Sequence, residues 1–209
     1  MRVVLASKSP ARLLTLRRAG LDPEVIVSDV DESLTRRSST GELVAALAEQ
    51  KADSVFAQLT SADQGPRADE DLIVIGCDSV LDFEGRAVGK PGTSERAVTL
   101  WKRLRLHSGL LITGHRVIVR CAGSVQADTR VARTVVHFAD LSDEDIDAYV
   151  ATGEPAEVAG GFTIDGFGGP FITHIEGDHH NVVGVSLPLL RLMLADLGVS
   201  WTSLWSPRP

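Results

Sequence analysis

One apolar run constrains the fold more than any other feature of this chain. Residues 72–76 have the sequence Leu-Ile-Val-Ile-Gly, without the alternation of polar and apolar side chains that a half-exposed strand shows. Such a run is typical of a central strand that helices cover on both faces. The first 28 residues have the pattern of a strand, a helix and a second strand, which favours the same arrangement. The sequence therefore predicts an α/β fold.

Further segments complete this prediction. Residues 110–121 and 125–138 have the pattern of a long antiparallel pair, which makes the predicted sheet a mixed one. Strands are predicted at residues 3–5, 25–27, 72–76, 79–83, 86–88, 110–121, 125–138 and 171–176. Helices are predicted to begin at capping or proline signals, which occur at Ser9, Ser39, Thr93, Ser142 and Ser186.

The composition excludes several classes of protein. The 209 residues are 44% hydrophobic and 23% charged, as in globular proteins and unlike disordered chains. No apolar run reaches the roughly 18 residues of a membrane span. A formal net charge of −7 argues against a stable nucleic-acid complex. Two cysteines cannot form a disulfide framework, so a reducing cytoplasm is the expected location.

Residues 6–12, Ala-Ser-Lys-Ser-Pro-Ala-Arg, carry the first chemical signal. They lie between a predicted strand and a predicted helix, where backbone N–H groups and the positive end of the helix dipole favour an anion. The hydroxyls of Ser7 and Ser9 and the cation of Arg12 make this turn a candidate phosphate cradle. The positive charge of Arg12 lies near the positive end of the helix dipole, which is unfavourable. The negative charge of a bound polyphosphate would compensate for it. The alternative is an ordinary capped helix with a solvated arginine.

Carboxylates form the second signal. Asp78 follows the buried run 72–76, and ligands gather at the carboxyl ends of strands in open α/β sheets. A carboxylate there could hold Mg²⁺ or orient a water molecule, or could be a turn residue that binds backbone amides. Asp29, Asp31 and Glu32 after the second strand could attract a hard cation or form a solvated loop.

Lysine is rare in this chain, and the few lysines stand out against a strong preference for arginine. A compact ammonium suits polyphosphate oxygens, whereas surface solubility is the alternative interpretation of each lysine. The lysines are Lys8, Lys51, Lys90 and Lys102.

Two other features receive structural interpretations. Asp178, His179 and His180 are adjacent, with His174 nearby, but neighbouring imidazoles on a strand point to opposite faces and seldom share a zinc ion. Cys77 has no evident histidine partner and is interpreted as a small buried hydrophobic residue.

Taken together, seven motifs resemble the Maf family of nucleoside triphosphate pyrophosphatases, which is related in fold to the inosine triphosphate pyrophosphatases. They occur in the family's order and approximate spacing over about residues 3–197. The motifs are Ala6-Ser-Lys-Ser-Pro-Ala-Arg12, Asp31-Glu32, Lys51-Ala52, Gly76-Cys-Asp-Ser79, Gly89-Lys-Pro91, Gly161-Phe-Thr-Ile-Asp-Gly166 and Val182-Val-Gly-Val-Ser-Leu-Pro188.

The resemblance implies a fold and an activity. The fold would be an elongated mixed sheet flanked by helices, with two lobes around a central cleft. It would occupy residues 1–199 as a single domain and leave residues 200–209 as a tail. Such proteins hydrolyse a nucleoside triphosphate, standard or modified, to the monophosphate and pyrophosphate with Mg²⁺ or Mn²⁺. A homodimer is a common expectation for the family, and the sequence leaves the oligomeric state open.

The resemblance also implies a role for each matching residue. Asp78 would accept the proton of the attacking water, and Glu32 and Asp78 would hold the metal ion. The phosphate oxygens would be bound by Ser7, Ser9, Arg12, Lys51 and Lys90. The reaction would be a single in-line attack of metal-activated water on the α-phosphorus, without a phosphoenzyme.

Three positions depart from the family's common pattern. Ala11 stands where the family usually has arginine, Ser79 where it has threonine, and Asp165 where the subfamily preferring dTTP and UTP has glutamine. In the family these positions are associated with selection of the base. An ionised aspartate only accepts hydrogen bonds, which should weaken recognition of uracil or thymine and could favour guanine or a cytosine amino group. The preferred base stays open.

Two other functions stay open at this point. One is a nucleotide-binding regulator of cell division with little or no hydrolysis, as the family's septum-inhibition label suggests. The other is a metal-dependent phosphatase of a different class that releases orthophosphate. Retention of Arg12, Glu32, Lys51, Asp78 and Lys90 favours the pyrophosphatase.

Overall fold

The computed structural model describes residues 1–28, 30–31, 35, 37–61 and 70–206. Its strands are β1 (Arg2–Leu5), β2 (Glu24–Val25), β3 (Leu72–Phe83), β4 (Arg86–Val88), β5 (Ser108–Cys121), β6 (Ser124–Phe138) and β7 (Ile172–Glu176). Its α-helices are α1 (Pro10–Arg18), α2 (Thr40–Thr60), α3 (Ser94–Leu104), α4 (Asp143–Ala151), α5 (Glu154–Glu157), α6 (His179–Val183) and α7 (Leu187–Asp196). Short 3₁₀ turns cover Ala159–Gly161, Gly169–Phe171 and Trp201–Leu204.

The five predicted helix starts are confirmed. In each case the hydroxyl of a serine or threonine accepts a hydrogen bond from the backbone N–H three residues later, which satisfies one of the donors that a helix start leaves open. The capping residues are Ser9, Ser39, Thr93, Ser142 and Ser186. Ser142 forms a reciprocal capping box with Asp145.

The predicted mixed sheet is also confirmed. Strand neighbours follow the order β2-β1-β3-β5-β6-β7, and β4 pairs with β3. The pairs β1–β2 and β1–β3 are parallel, whereas β3–β4 and β6–β7 are antiparallel. With helices between the strands along the chain, the protein has the α/β architecture that the apolar run at residues 72–76 predicts.

The chain divides into two compact units. The described residues of Met1–Asp78, Thr113–Ala132 and Gly184–Pro209 form the first, and those of Ser79–Ile112 and Arg133–Val183 form the second.

The first unit has a helix–sheet–helix core. Successive residues of a strand face opposite sides, and β1 and β3 follow that rule. Leu5, Ile73 and Ile75 pack with side chains of α1 and α7 in one hydrophobic cluster. Val4 and Val74 pack with Ala52, Val55 and Leu59 of α2 in another. The central strand is therefore buried on both faces, as its composition requires.

Strand β3 is longer than the sequence analysis predicts. Residues 72–76 and 79–83 are two predicted strands but form one continuous strand, Leu72–Phe83. Asp78 accordingly lies inside the strand, and the prediction that it follows a strand's carboxyl end is wrong. Gly76 lies within the strand, where the absence of a side chain lets α2 pack closely against it. A Cβ at Gly76 would lie 2.5 Å from the carbonyl oxygen of Ala48 and 2.9 Å from the Cβ of Ala52, both on α2.

The second unit is centred on Trp101 of α3. Its ring makes edge-to-face contacts with Phe138 at 5.6 Å and Tyr149 at 5.2 Å between ring centroids. Its indole N–H donates to the carbonyl oxygen of Gly161 at 2.8 Å. A buried aromatic cluster thus holds α4 and the start of the glycine-rich segment that follows α5.

Three smaller differences separate the observed elements from the predicted ones. Strand β2 has only two residues, Glu24–Val25, rather than residues 25–27. Helix α3 ends at Leu104, and Leu106 has a left-handed φ of 63°, which an α-helix does not accommodate. His179 and His180 begin helix α6, so the assumption that they lie on a strand is wrong.

The segment after α7 packs on the first unit. Leu204 is buried, and the backbone N–H of Ser206 donates to the carbonyl oxygen of Gly20 at 2.9 Å. Trp205 lies so close to Gly20 that a Cβ there would be 2.6 Å from its ring. Residues 201–206 of the predicted tail therefore pack against the rest of the first unit. Within the part of the chain that the structure describes, no helix combines the length and hydropathy needed to cross a membrane.

The variant Gly76→Ala tests the close contact between α2 and β3. We expect the added methyl group to lower the free energy of unfolding by about 1–3 kcal/mol, because it would displace backbone rather than a flexible side chain. Urea unfolding measures this change. Gly89→Ala is the matched control, since a Cβ there would have no atom within 4 Å and should change stability by less than about 0.5 kcal/mol. An equal loss in both variants would contradict the contact.

Candidate active site

The turn between β1 and α1 gathers three of the predicted site residues. Ser7 is 8% exposed, and its Oγ accepts hydrogen bonds from the backbone N–H of Ser9 at 3.2 Å and from Nη1 of Arg12 at 3.0 Å. The Oγ of Ser9 caps α1 by accepting from the backbone N–H of Arg12 at 3.4 Å. Both acceptor positions of the Ser7 hydroxyl are thereby used, so its hydrogen is directed elsewhere as a donor.

The Arg12 side chain joins this turn to two distant segments. Its Nη1 also donates to the carbonyl oxygen of Cys77 on β3 at 2.9 Å, and its Nε donates to the carbonyl oxygen of Gly184 at 2.8 Å. Carbonyl dipoles therefore compensate for a cation in the first turn of α1. These carbonyls already compensate for part of that charge, and the guanidinium stays positioned beside the two serines.

A largely buried ion pair lies across from this turn. Nζ of Lys51 on α2 is 2.5 Å from Oδ1 of Asp78 on β3, and the two side chains are 12% and 11% exposed. Both charges are mostly removed from water, and breaking such a pair by removing one partner is strongly destabilising. The contact follows from the packing at Gly76, since Gly76 and Asp78 face α2 on alternate positions of the strand.

The charges of this cluster partly cancel. Lys51 and Arg12 are cationic, but Asp78 already neutralises Lys51 and carbonyl oxygens surround Arg12. The described part of the site thus keeps a net positive charge while each cation has a protein partner. An anion entering here would compete with Asp78 for the ammonium of Lys51.

Cys77 lies between these groups in sequence but points to the other face of the strand. It is fully buried in the cluster formed with α1 and α7. Burial raises the pKa of the Cys77 thiol to about 11, although the nearby cations of Arg12 and Lys51 act in the opposite direction. A thiol with so high a pKa is a poor nucleophile, which agrees with its interpretation as a buried hydrophobic residue.

Asp78 is the described carboxylate of this cluster. Glu32 and Asp29 lie outside the residues that the structure describes, and Asp31 is exposed. Among the described residues, no three or more His, Cys, Asp or Glu side chains come together in a way that could hold a metal ion. Mg²⁺ does not need such a cage, because it commonly binds one or two carboxylates together with substrate phosphates and water.

The remaining predicted residues divide between the two units. Ala11 is half-buried on α1 in the first unit. Ser79, Lys90 and Asp165 belong to the second unit, where Lys90 and Asp165 are exposed. The carbonyl oxygen of Gly89, next to Lys90, accepts from the backbone N–H of Gly160 at 3.1 Å. The structure thus brings Ser7, Ser9, Arg12, Lys51 and Asp78 together in the first unit.

The sequence analysis missed Glu154. Four donors converge on this one carboxylate: Tyr149 Oη at 2.7 Å, Thr163 Oγ1 at 2.6 Å, and the backbone N–H groups of Phe167 and Gly168, each at 3.1 Å. Glu154 therefore organises the segment that contains Asp165. The one signal in the sequence is the glycine-rich composition of residues 160–169, whose backbone N–H groups require acceptors.

Ionisation of Glu154 and Tyr149 reflects this arrangement. Burial alone would raise the pKa of Glu154, but the hydrogen bonds from Thr163, Tyr149 and the two backbone amides together lower it below its ordinary value. Burial and the adjacent Glu154 carboxylate raise the pKa of the Tyr149 phenol. The cluster is therefore built for an ionised glutamate and a protonated tyrosine.

Comparison with known proteins adds an independent finding. The family model described as Maf-like protein matches residues 2–197. A nucleoside triphosphate pyrophosphatase of Cutibacterium acnes is 55% identical over 97% of this chain and 94% of its own. Proteins with the same name from Salinispora tropica and Streptomyces coelicolor are each 52% identical over 99% of this chain, and over 88% and 95% of their own lengths. Among solved structures, the Ham1 protein of Staphylococcus aureus aligns over 98% of this chain and 94% of its own, with a TM-score of 0.42 and 14% identity.

Thiol reactivity tests the placement of Cys77. Both cysteines are free, Cys77 buried and Cys121 exposed. At about pH 8 we expect a disulfide reagent to label Cys121 in the native protein and Cys77 only after unfolding, because burial and the raised pKa suppress the Cys77 thiolate. Cys121→Ser should abolish native labelling, and Cys77→Ala should leave it unchanged. Rapid native labelling of Cys121→Ser would contradict the assignment.

The pH dependence of stability tests the ionisation of Glu154. A carboxylate whose pKa is lowered by folding stabilises the protein above its unfolded pKa, near 4.5, and loses that effect as the pH falls through the folded value. Glu154→Gln should lower the free energy of unfolding by about 1–3 kcal/mol at neutral pH. The difference from wild type should shrink below pH 4.5. Urea unfolding across this range measures it, and a difference that is constant with pH would contradict the lowered pKa.

Proposed function

The chain belongs to the family of Maf-like proteins, and from that premise we propose that it is a nucleoside triphosphate pyrophosphatase. It hydrolyses a nucleoside triphosphate to the monophosphate and pyrophosphate. The single observation that carries the proposal is the pairing of Asp78 with Lys51, 2.5 Å apart and largely buried, in the same unit as the Ser7, Ser9 and Arg12 cluster. A proton acceptor and phosphate-binding cations are the groups that this reaction needs.

Phosphate binding is assigned to hydroxyl and cationic groups. The hydroxyl hydrogen of Ser7 is available as a donor because its oxygen already accepts two hydrogen bonds. Ser9 contributes its hydroxyl at the start of α1, where the dipole favours an anion. Arg12 and Lys51 supply positive charge in this unit, and Lys90 keeps the phosphate role that its motif implies.

Lys51 has two competing roles in this scheme. In the structure its ammonium binds Asp78, which holds both groups in place. A polyphosphate with several negative charges attracts the same ammonium more strongly than one carboxylate does. Movement of Lys51 toward the substrate would free Asp78 to accept a proton from the attacking water. Substrate binding and activation of the base are thereby coupled.

A divalent cation is part of the proposal. The donor chemistry fits, since Asp78 offers a hard oxygen ligand in reach of a phosphate-binding cluster, and Glu32 is assigned as a further ligand from its motif. When bound, Mg²⁺ or Mn²⁺ supplies positive charge that neutralises the polyphosphate and the charge developing during attack. Among this chain's own residues, Asp78 would accept the proton of the attacking water and Lys51 would bind phosphate oxygens.

Base selection is assigned to Ala11, Ser79 and Asp165. Asp165 is exposed on the segment that Glu154 organises, and as an acceptor it favours an amino or imino donor on the base. A cytoplasmic location is also proposed, and the free state of Cys77 and Cys121 supports it.

Product analysis tests the reaction class. The purified protein is incubated with Mg²⁺, or with Mn²⁺, and a panel of standard and modified nucleoside triphosphates, and anion-exchange chromatography identifies the products. We expect the monophosphate and pyrophosphate from a subset of the panel. Orthophosphate with a diphosphate would instead indicate a phosphatase of another class. No turnover with either metal would contradict the proposal and favour a nucleotide-binding regulator.

Asp78→Asn tests the proposed base. We expect kcat to fall by about 10²-fold or more, because the amide cannot accept the proton of the attacking water. Asp53→Asn is the matched control: Asp53 lies on α2, is exposed, and pairs with Arg116 at 3.1 Å, an interaction that contributes little. Thermal unfolding of both variants shows whether they are folded. Near-normal turnover of Asp78→Asn would remove Asp78 as the base.

A further inference from the structure

The segment that carries Asp165 is fastened at both ends. Trp101 of the buried aromatic cluster donates to the carbonyl oxygen of Gly161 at 2.8 Å. At the other end the backbone N–H of Ala139 donates to the carbonyl oxygen of Phe171 at 2.9 Å. Residues 162–167 between these points contain no regular element. Asp165 itself is exposed, so its own side chain does little to fix the path of the segment.

Glu154 supplies the internal fastening. Its carboxylate accepts from the side chain of Thr163 two residues before Asp165, and from the backbone of Phe167 two residues after it. The third contact within the segment, from the backbone N–H of Gly168, is 3.1 Å long. Asp165 therefore lies at the top of a turn whose two sides are bonded to the same carboxylate.

Two glycines let the backbone close on this carboxylate. A Cβ at Gly166 would lie 2.3 Å from Oε2 of Glu154 and 2.7 Å from Oγ1 of Thr163. A Cβ at Gly168 would lie 2.5 Å from the hydroxyl of Tyr149. Close packing of this kind leaves the segment few alternative conformations.

Tyr149 connects the carboxylate to the core. Its hydroxyl donates to Glu154 at 2.7 Å and accepts from the backbone N–H of Thr163 at 3.3 Å. Its ring packs edge-to-face on Trp101 and lies 5.3 Å from the ring of Phe171. The turn around Asp165 is thus tied, through one glutamate and one tyrosine, to the buried aromatic cluster of its unit.

We propose that Glu154 is a positioning residue for base selection, which holds the Asp165 turn in the conformation that recognises the base. The inference rests on the proposed function and deepens it. Selectivity between bases requires an acceptor at a defined place, because a mobile side chain bonds several donor patterns nearly equally well. Glu154 fixes that place without contacting the substrate.

A glutamine cannot replace this glutamate. Every group that contacts the Glu154 carboxylate donates a hydrogen bond to it. Two of these donors are backbone N–H groups, which cannot accept a hydrogen bond. The amide NH₂ of a glutamine would face the N–H of either Phe167 or Gly168, depending on its orientation. One side of the Asp165 turn would therefore lose its bond, with little change in side-chain volume.

The variant Glu154→Gln tests the inference against Glu157→Gln. Both residues lie on α5, and Glu157 is exposed, so the two variants make the same charge change. In Glu154→Gln we expect the ratio of kcat/KM between the preferred and a poorly used nucleoside triphosphate to fall about 10-fold, mainly through KM for the preferred one. Glu157→Gln should keep the wild-type ratio.

A double-mutant cycle with Asp165→Asn separates positioning from general damage. If Glu154 acts through Asp165, the double variant changes the ratio of kcat/KM between the two nucleotides by a smaller factor than the product of the factors for the two single variants. Inhibition by inorganic tripolyphosphate, which has no base, should be equal in wild type and Glu154→Gln. Hydrogen exchange at the backbone N–H groups of Phe167 and Gly168 should be faster in Glu154→Gln than in Glu157→Gln.

Several results would overturn the inference. These are an unchanged base ratio in Glu154→Gln, independent effects of Glu154→Gln and Asp165→Asn, or tripolyphosphate inhibition that weakens in step with all nucleotides. Failure of the proposed function is a separate result, seen in the wild-type protein as no release of pyrophosphate from any nucleotide. That result would overturn the base-selection role as well. Exchange at Phe167 and Gly168 that is no faster in Glu154→Gln than in Glu157→Gln would overturn the fastening by itself.

Discussion

The packing of helix α2 on strand β3 is the contact on which the candidate site depends. Gly76 has no side chain, and Ala48 and Ala52 are small, so the helix backbone comes within a distance that no Cβ at Gly76 would permit. The same approach carries the ammonium of Lys51 to the carboxylate of Asp78, two residues along the strand. A wider spacing would separate two mostly buried charges that are bonded to each other, which is costly in a folded protein. The pairing of Lys51 with Asp78 therefore requires the close packing of α2 on β3.

The site holds its charges in place before any substrate arrives. Arg12 is bonded to backbone carbonyls of Cys77 and Gly184 and to the hydroxyl of Ser7, and Lys51 is bonded to Asp78. A guanidinium fixed as that of Arg12 is needs little reorganisation when an anion binds, which is the condition for strong electrostatic stabilisation. The proposed competition for Lys51 between Asp78 and a polyphosphate gives the arrangement a further property. In the proposed reaction, Asp78 becomes available as the base when the polyphosphate binds Lys51.

The second unit positions the segment that carries Asp165 by different means. In the first unit, charged side chains project from a strand and a helix, whereas Asp165 lies on a glycine-rich turn without regular structure. Such a turn is precise only if its backbone donors have fixed acceptors. Glu154 provides them, and Tyr149 carries the constraint to the aromatic core around Trp101. The family relationship explains why the motifs are present, and these contacts explain how one of them keeps its shape.

The sequence by itself determined the features that depend on near neighbours along the chain. The five capping residues and the buried central strand follow from local patterns, because helix starts and strand burial are decided within a few residues. The order of the Maf-like motifs is read directly along the sequence. Only the tertiary structure decided that Asp78 lies inside a twelve-residue strand, that Lys51 neutralises it, that Arg12 reaches Gly184, and that Glu154 holds the Asp165 turn. Lys51 and Asp78 are 27 residues apart and Arg12 and Gly184 are 172 apart. No periodicity connects positions at such distances, and the backbone packing that joins them exists only once the chain has folded.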